Sequence, residues 1–189
     1  MNPKIIFQRA GPMYEKALNK VAGLEMPSDE IFREKIDELE KLWGKWSDVI
    51  ITELNEVTKL EWMDTDIRCY VTAGIPASFS HPLTLKIYGS IDDTFDVFVH
   101  ELIHRLLHNP NHPQRFKDAR DALVKEYENE SLRTRNHIIL HAIHAHILVK
   151  FFDRSRLKRA SQFLKTPDYM RSWEIVNTSG YENIIKRIF

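Results

Sequence analysis

The sequence predicts an α+β fold dominated by helix. Two short runs rich in branched and aromatic residues lie near the middle, and helical periodicity covers most of the chain on either side. No apolar run approaches the ~20 residues of a membrane-spanning helix. With 189 residues the chain has the size of one domain and can bury a core without covalent staples. The expected layout is a single domain over 1–189, with an N-terminal helical region at 1–65, strands and central helices at 66–152 and C-terminal helices at 153–189.

Met13 to Leu24 reads as a short helix ended near Pro27. Ser28 is a good N-cap for the next helix. "SDEIFREKIDELEKLWGKWSDVIITELNEVTKL" keeps helical periodicity, with acidic residues in the first turn where the helix dipole favours them. Gly44 is a point where that helix can bend or break. Trp43, Trp46, Ile50 and Leu54 recur at three- and four-residue spacing, the stripe of a docked amphipathic helix. "IRCYVTAGIP" and "LTLKIYGS" are bounded by Gly, Pro and Ser and read as strands. In the second, Leu83, Leu85 and Ile87 alternate with Thr84, Lys86 and Tyr88. Ser90 can cap a helix with Asp92 and Asp93 in its first turn, ending near Asn109-Pro110. Further helices are expected at about Gln114 to Glu128 and Leu132 to Phe152. Two or three shorter ones follow, punctuated by Pro167 and Gly180.

Lys+Arg and Asp+Glu each number 27, so the formal charge is zero. That balance excludes a generic binder of nucleic acid or anionic membrane. The basic stretch "RSRLKRA", Arg154 to Ala160, reads as a solvated helix face. The one cysteine, Cys69, lies in an apolar run and reads as a small buried residue. The N-terminus shows no apolar signal core. A cytoplasmic, reducing setting is expected.

The chemistry concentrates in "DVFVHELIHRLLH", Asp96 to His108. His100 and His104 are four apart, so on a helix their Cβ atoms stack ~5–6 Å apart on one face. Two imidazoles so placed can grip one metal ion. Glu101 lies about 100° around the helix from His100 and about 60° from His104. From there its carboxylate can reach a metal-bound water without displacing a ligand. This is the H-E-x-x-H pattern of two zinc ligands and a general base. The surrounding Val97, Phe98, Val99, Leu102, Ile103, Leu106 and Leu107 make the helix apolar on nearly every side. Its polar groups therefore need partners, and a single zinc ion with its water would satisfy all three.

A catalytic zinc normally takes three protein ligands. "NHIILHAIHAHIL" offers His137, His141 and His144 on one helical face, with His146 on the other side near Lys150 and expected in solvent. His108 and His112 read as supporting or surface residues.

His100-Glu101-Leu102-Ile103-His104 resembles the signature of the zincin-like metallopeptidases. That resemblance implies a zincin-like fold: a small sheet, the H-E-x-x-H helix and a second helix bearing the third ligand. In the gluzincin branch this ligand is a Glu on a later helix, often preceded by Asn. Asn136-His137-Ile138-Ile139-Leu140-His141 is similar to that layout with His in place of the acids, which makes His137 the ligand and His141 its support. The central position of His141 on its helix favours the reverse, with His137 and His144 as candidate oxyanion donors. Both assignments stand at this point. Glu126, Glu128 and Glu130 are the carboxylate alternatives. The metzincin pattern does not fit, since the positions of its Gly and third His hold Leu107 and Pro110. The resemblance covers roughly Leu83 to Leu148. It also implies that "LTLKIYGS" is an edge strand that binds an extended peptide through Thr84, Lys86 and Tyr88.

The leading expectation is a small zinc metallopeptidase acting on a peptide or protein. Glu101 is its base and then its acid, and His144 is an oxyanion donor. The alternative from another class is a non-proteolytic metal-binding protein that serves a partner. A carboxylate-bridged di-iron site also uses E-x-x-H, but no Glu other than Glu101 has a His three residues on.

Overall fold

The computed structural model describes residues 2–11, 13–17 and 28–189. Helices dominate, with one small sheet, as an α+β chain rich in helix requires. No helix among the described residues is long and apolar enough to cross a membrane. The chain divides into two compact units. The first is Met1–Val49 with Trp62–Arg105; the second is Ile50–Glu61 with Leu106–Phe189.

The first unit holds the sheet. Strands β1 (Lys4–Arg9), β2 (Asp66–Thr72), β3 (Phe79–Ser80) and β4 (Leu83–Lys86) lie in the order β1-β2-β4-β3. β1 runs parallel to β2, with Lys4 opposite Asp66 and Arg9 opposite Val71. β2 runs parallel to β4, and β3 is antiparallel to β4. The strand at Lys4–Arg9 corrects the expectation of an all-helical N-terminal region. Ile5, Ile6 and Phe7 suit a pleated, half-buried surface, and Pro3 and Gly11 bracket them. Parallel pairing with β2 needs a long crossover, and helix α1 (Asp29–Thr58) lies between the two strands in sequence. Residues 13–17 are helical, and the rest of the helix expected to Leu24 lies outside the described residues.

The sheet order also corrects the reading of "LTLKIYGS" as an edge strand. β4 has neighbours on both sides, β2 and β3. Beyond the ladder, the Lys86 N–H donates to Ser78 Oγ at 2.9 Å and the Ile87 N–H to the Thr72 carbonyl at 2.9 Å. Thr84, expected to point outward, is fully buried. Its hydroxyl donates to the Pro82 carbonyl and accepts from Tyr14 Oη at 3.1 Å. The backbone edge that an added peptide would use is occupied by β3.

Two helices carry the rest of this unit's core. α1 begins at Ser28, whose Oγ accepts from the Ile31 N–H. It then runs through Gly44 without a break. α2 (Ile91–Leu107) begins where β4 ends. Thr94 locks that junction: its hydroxyl accepts the Tyr88 N–H and donates to the Ser90 carbonyl, both at 3.0 Å. Asp92 and Asp93 occupy the first turn, where the helix dipole favours them. Phe98 of α2 packs against Phe7 and, edge-on, against Trp43, each with ring centroids 5.0 Å apart. Phe32, Leu39, Phe95, Leu83 and Leu85 complete the core.

The second unit is helical. α3 (Gln114–Glu126), α4 (Leu132–Phe151), α5 (Arg154–Phe163), α6 (Pro167–Ser179) and α7 (Tyr181–Ile188) follow in order. α4 is the central element, with α5, α6 and α7 all packed on it. It is buried on nearly every face, so its sequence shows little amphipathic bias. Side-chain caps fix three starts: Ser131 for α4, Asp153 for α5 and Thr166 for α6. Gly180, at φ +79°, separates α6 from α7. His146 is not a solvent residue as expected. Its Nε2 meets Glu53 Oε1 at 2.6 Å, and Lys150 Nζ binds the other oxygen of Glu53. Burial pushes Glu53 up, but the hydrogen bonds from Lys150 and His146 outweigh it and hold the carboxylate below its ordinary range.

The uninterrupted course of α1 gives a stability test. A Cβ built on Gly44 meets nothing within 4 Å, and the residue is exposed. Gly44→Ala should therefore stabilise the fold by about 0.5–1 kcal/mol. A rise in the urea midpoint at unchanged slope is the expected reading.

Candidate metal centre

α2 places His100 and His104 one turn apart, with ring centroids 5.0 Å apart and the rings nearly perpendicular. His100 is buried and His104 half-buried. The remaining faces of the helix carry Phe95, Phe98, Leu102, Ile103 and Leu106, all fully buried. Rotating the helix to expose the histidines would expose that apolar surface, so the orientation of the pair is fixed by packing.

His137 comes from α4. Its Nδ1 lies 2.8 Å from the Arg133 carbonyl. A carbonyl only accepts, so Nδ1 carries the proton and Nε2 carries the lone pair that a metal needs. Burial pushes the His137 imidazole down, which favours its neutral, ligating form. One nitrogen each from His100, His104 and His137 lie within 4.8 Å of one another. Three imidazoles on a tetrahedral zinc at ~2.05 Å sit about 3.3 Å apart. A group of this spacing could hold one metal ion.

Glu101, next to His100 on the same helix, is 7% exposed. Burial pushes its carboxyl up to about 8. Its charge also reaches Cys69 and Tyr88, both raised mainly by their own burial. A divalent cation held by the neighbouring histidines would favour the ionised carboxylate and reverse that shift.

The other predicted residues are not part of that group. His141 is outside the group formed by His100, His104 and His137. Its Nδ1 lies 2.7 Å from Ser172 Oγ, whose hydroxyl donates to the Tyr169 carbonyl; the imidazole is therefore the donor to Ser172. The His141 ring stacks on Trp173 at 4.1 Å and 10°. His144 is buried beside Trp173 and pushed down to about 3, chiefly by burial and then by the charge of Arg156. Burial thus favours its neutral form. Arg156 itself, expected on a solvated face, is buried with its guanidinium 4.0 Å over the Phe152 ring. The remaining basic side chains of that stretch, Arg154, Lys158 and Arg159, are exposed. His112 is buried, and its Nε2–H donates to the Leu106 carbonyl at 2.6 Å, closing the end of α2. Glu126 and Glu130 are held by Arg187 and Arg171, and Glu128 is exposed.

Sequence reasoning missed the face of α6. Tyr169 packs 4.5 Å from His137, ring centre to ring centre, while Ser172 and Trp173 hold His141. Their i, i+3, i+4 spacing marks one helical face. Nothing local shows that this face meets histidines some thirty residues away. No protein-family model matches the chain, and neither do curated proteins or solved structures.

His137 belongs to the group of donor nitrogens and His141 does not, so the two candidates for a third ligand have different expected effects. Replacing His137 with Ala should weaken zinc binding by more than the ~10–100-fold that loss of a supporting partner brings. His141→Ala should stay within that range. Competition titration against a chromophoric chelator measures both.

Proposed function

We propose that the chain is a zinc-dependent hydrolase that cleaves peptide bonds. One observation carries this reading: the donor nitrogens of His100, His104 and His137 group together, and Glu101 adjoins the first of them on the same helix. Three neutral imidazoles suit zinc and leave a coordination position for water. The ion, when bound, supplies Lewis acidity to a substrate carbonyl and acidity to its water.

The side chains supply the proton handling. Glu101 accepts the water proton on its carboxylate and returns it to the leaving amine. Its burial excludes bulk water that would compete for that proton. The Arg133 carbonyl keeps His137 in the tautomer whose Nε2 ligates. His144 is neutral and would offer an N–H, not a charge, to a developing oxyanion. Peptide as the substrate class follows from the resemblance of "HELIH" to the zincin-like signature. The lone buried Cys69 suits a reducing compartment, and we place the protein in the cytoplasm.

A second reading has a specific observation in its favour. β4, the strand that would bind an extended peptide, is paired on both sides. That suits a metal-binding protein that regulates or binds a partner without cleaving it. Glu101→Gln distinguishes the two. Under the hydrolase reading it keeps zinc and lowers kcat about 10²–10⁴-fold. Zinc-loaded wild type that cleaves nothing in a diverse peptide library would leave the binding reading in place.

A further inference from the structure

We propose that Asp168 is a positioning residue for His137, the imidazole that α4 contributes to the metal centre. This rests on the metal centre proposed above and concerns how one of its ligands is held.

Two contacts direct the His137 ring, and Asp168 stands behind both. The first is the Arg133 carbonyl, 2.8 Å from Nδ1. Arg133 is the second residue of α4. The first turn of a helix frays readily, because its N–H groups lack partners within the helix. The direction of that carbonyl depends on the turn staying closed. The second contact is Tyr169, whose ring centre lies 4.5 Å from that of His137. Tyr169 directly follows Asp168 in the first turn of α6.

Asp168 joins these two turns. Ser131, the N-cap of α4, accepts the Thr134 N–H at 3.0 Å and donates its hydroxyl proton to Asp168 Oδ1 at 2.6 Å. The hydroxyl of the buried Thr134 donates to the Asp168 carbonyl at 3.2 Å. Side chain and main chain of one α6 residue thus grip α4 at two points of its first turn. A hydroxyl donating to a carboxylate is among the stronger hydrogen bonds. Arg133 adds an ion pair to Asp168 Oδ2 at 3.9 Å, but that pair is long and solvent-facing and contributes little. Beyond Asp168, the Tyr169 carbonyl accepts from Ser172 Oγ at 3.0 Å, and Ser172 in turn holds His141.

An imidazole already held in place binds a metal at less cost than one ordered on binding. A tie that served only to stabilise the fold would lower stability when cut and leave the metal affinity of the folded chain unchanged. The test titrates metal-free, untagged full chain with cobalt(II) against a competing chelator. The visible bands of the bound ion and the urea midpoint are recorded for each variant.

Asp168→Ala is expected to weaken cobalt binding about ten-fold and to alter the bands. Asp168→Asn should restore both, because its amide oxygen still accepts the Ser131 proton. Ser131→Gly removes the same hydrogen bond from the other side and keeps a residue tolerated at an N-cap. It should weaken binding several-fold, and it carries the test if Asp168→Ala does not fold. A lower urea midpoint with unchanged affinity and bands would overturn the proposal. So would Asp168→Asn binding as weakly as Asp168→Ala. Wild type that takes up no cobalt would instead overturn the metal centre itself, and the role of Asp168 with it.

Discussion

Imidazoles and a carboxylate buried among hydrocarbon set the terms for this structure. A polar group taken out of water without a partner costs on the order of 1–3 kcal/mol. His100 and Glu101 on α2 and His137, His141 and His144 on α4 are all buried. The surrounding chain answers that cost locally where it can. His137 leans on the Arg133 carbonyl, His141 on Ser172, and His112 on the end of α2. Glu101 has the opposite tendency and is pushed towards its protonated form. In the metal centre proposed above, a cation beside it would favour the ionised carboxylate.

α2, which carries His100, Glu101 and His104, is tied down along its length. Thr94 binds its first turn to the exit from β4, and Phe7 and Trp43 clasp Phe98 from two elements. At its other end, Arg105 donates to the Ser80 carbonyl at 2.8 Å and pairs with Asp64. A pair of ligand histidines is useful only if their spacing and direction do not wander. α4 is held by different means. It is enclosed by apolar contacts along most of its length, and Glu53 gathers His146 and Lys150 near its C-terminal end.

The helices were legible because their signals are local. Ser28, Ser131, Asp153, Thr166 and Gly180 sit at helix boundaries and have the chemistry such positions select. The two histidine-rich helices, Ile91–Leu107 and Leu132–Phe151, could be placed for the same reason. What sequence could not carry was pairing. β1 is six residues long, and its identity depends on β2, some sixty residues away. β4 looked like an edge because nothing in "LTLKIYGS" encodes the two-residue β3 that covers it. His137 and His141 share one helical face, so periodicity alone could not choose between them. What distinguishes them lies beyond the helix, where Ser172 and Trp173 engage His141.

The most direct test is elemental analysis of the untagged protein, purified without added metal and then titrated with zinc. About one zinc per chain, retained through dialysis, is the expected result. No metal on isolation and none taken up on titration would contradict the metal centre, and with it the hydrolase.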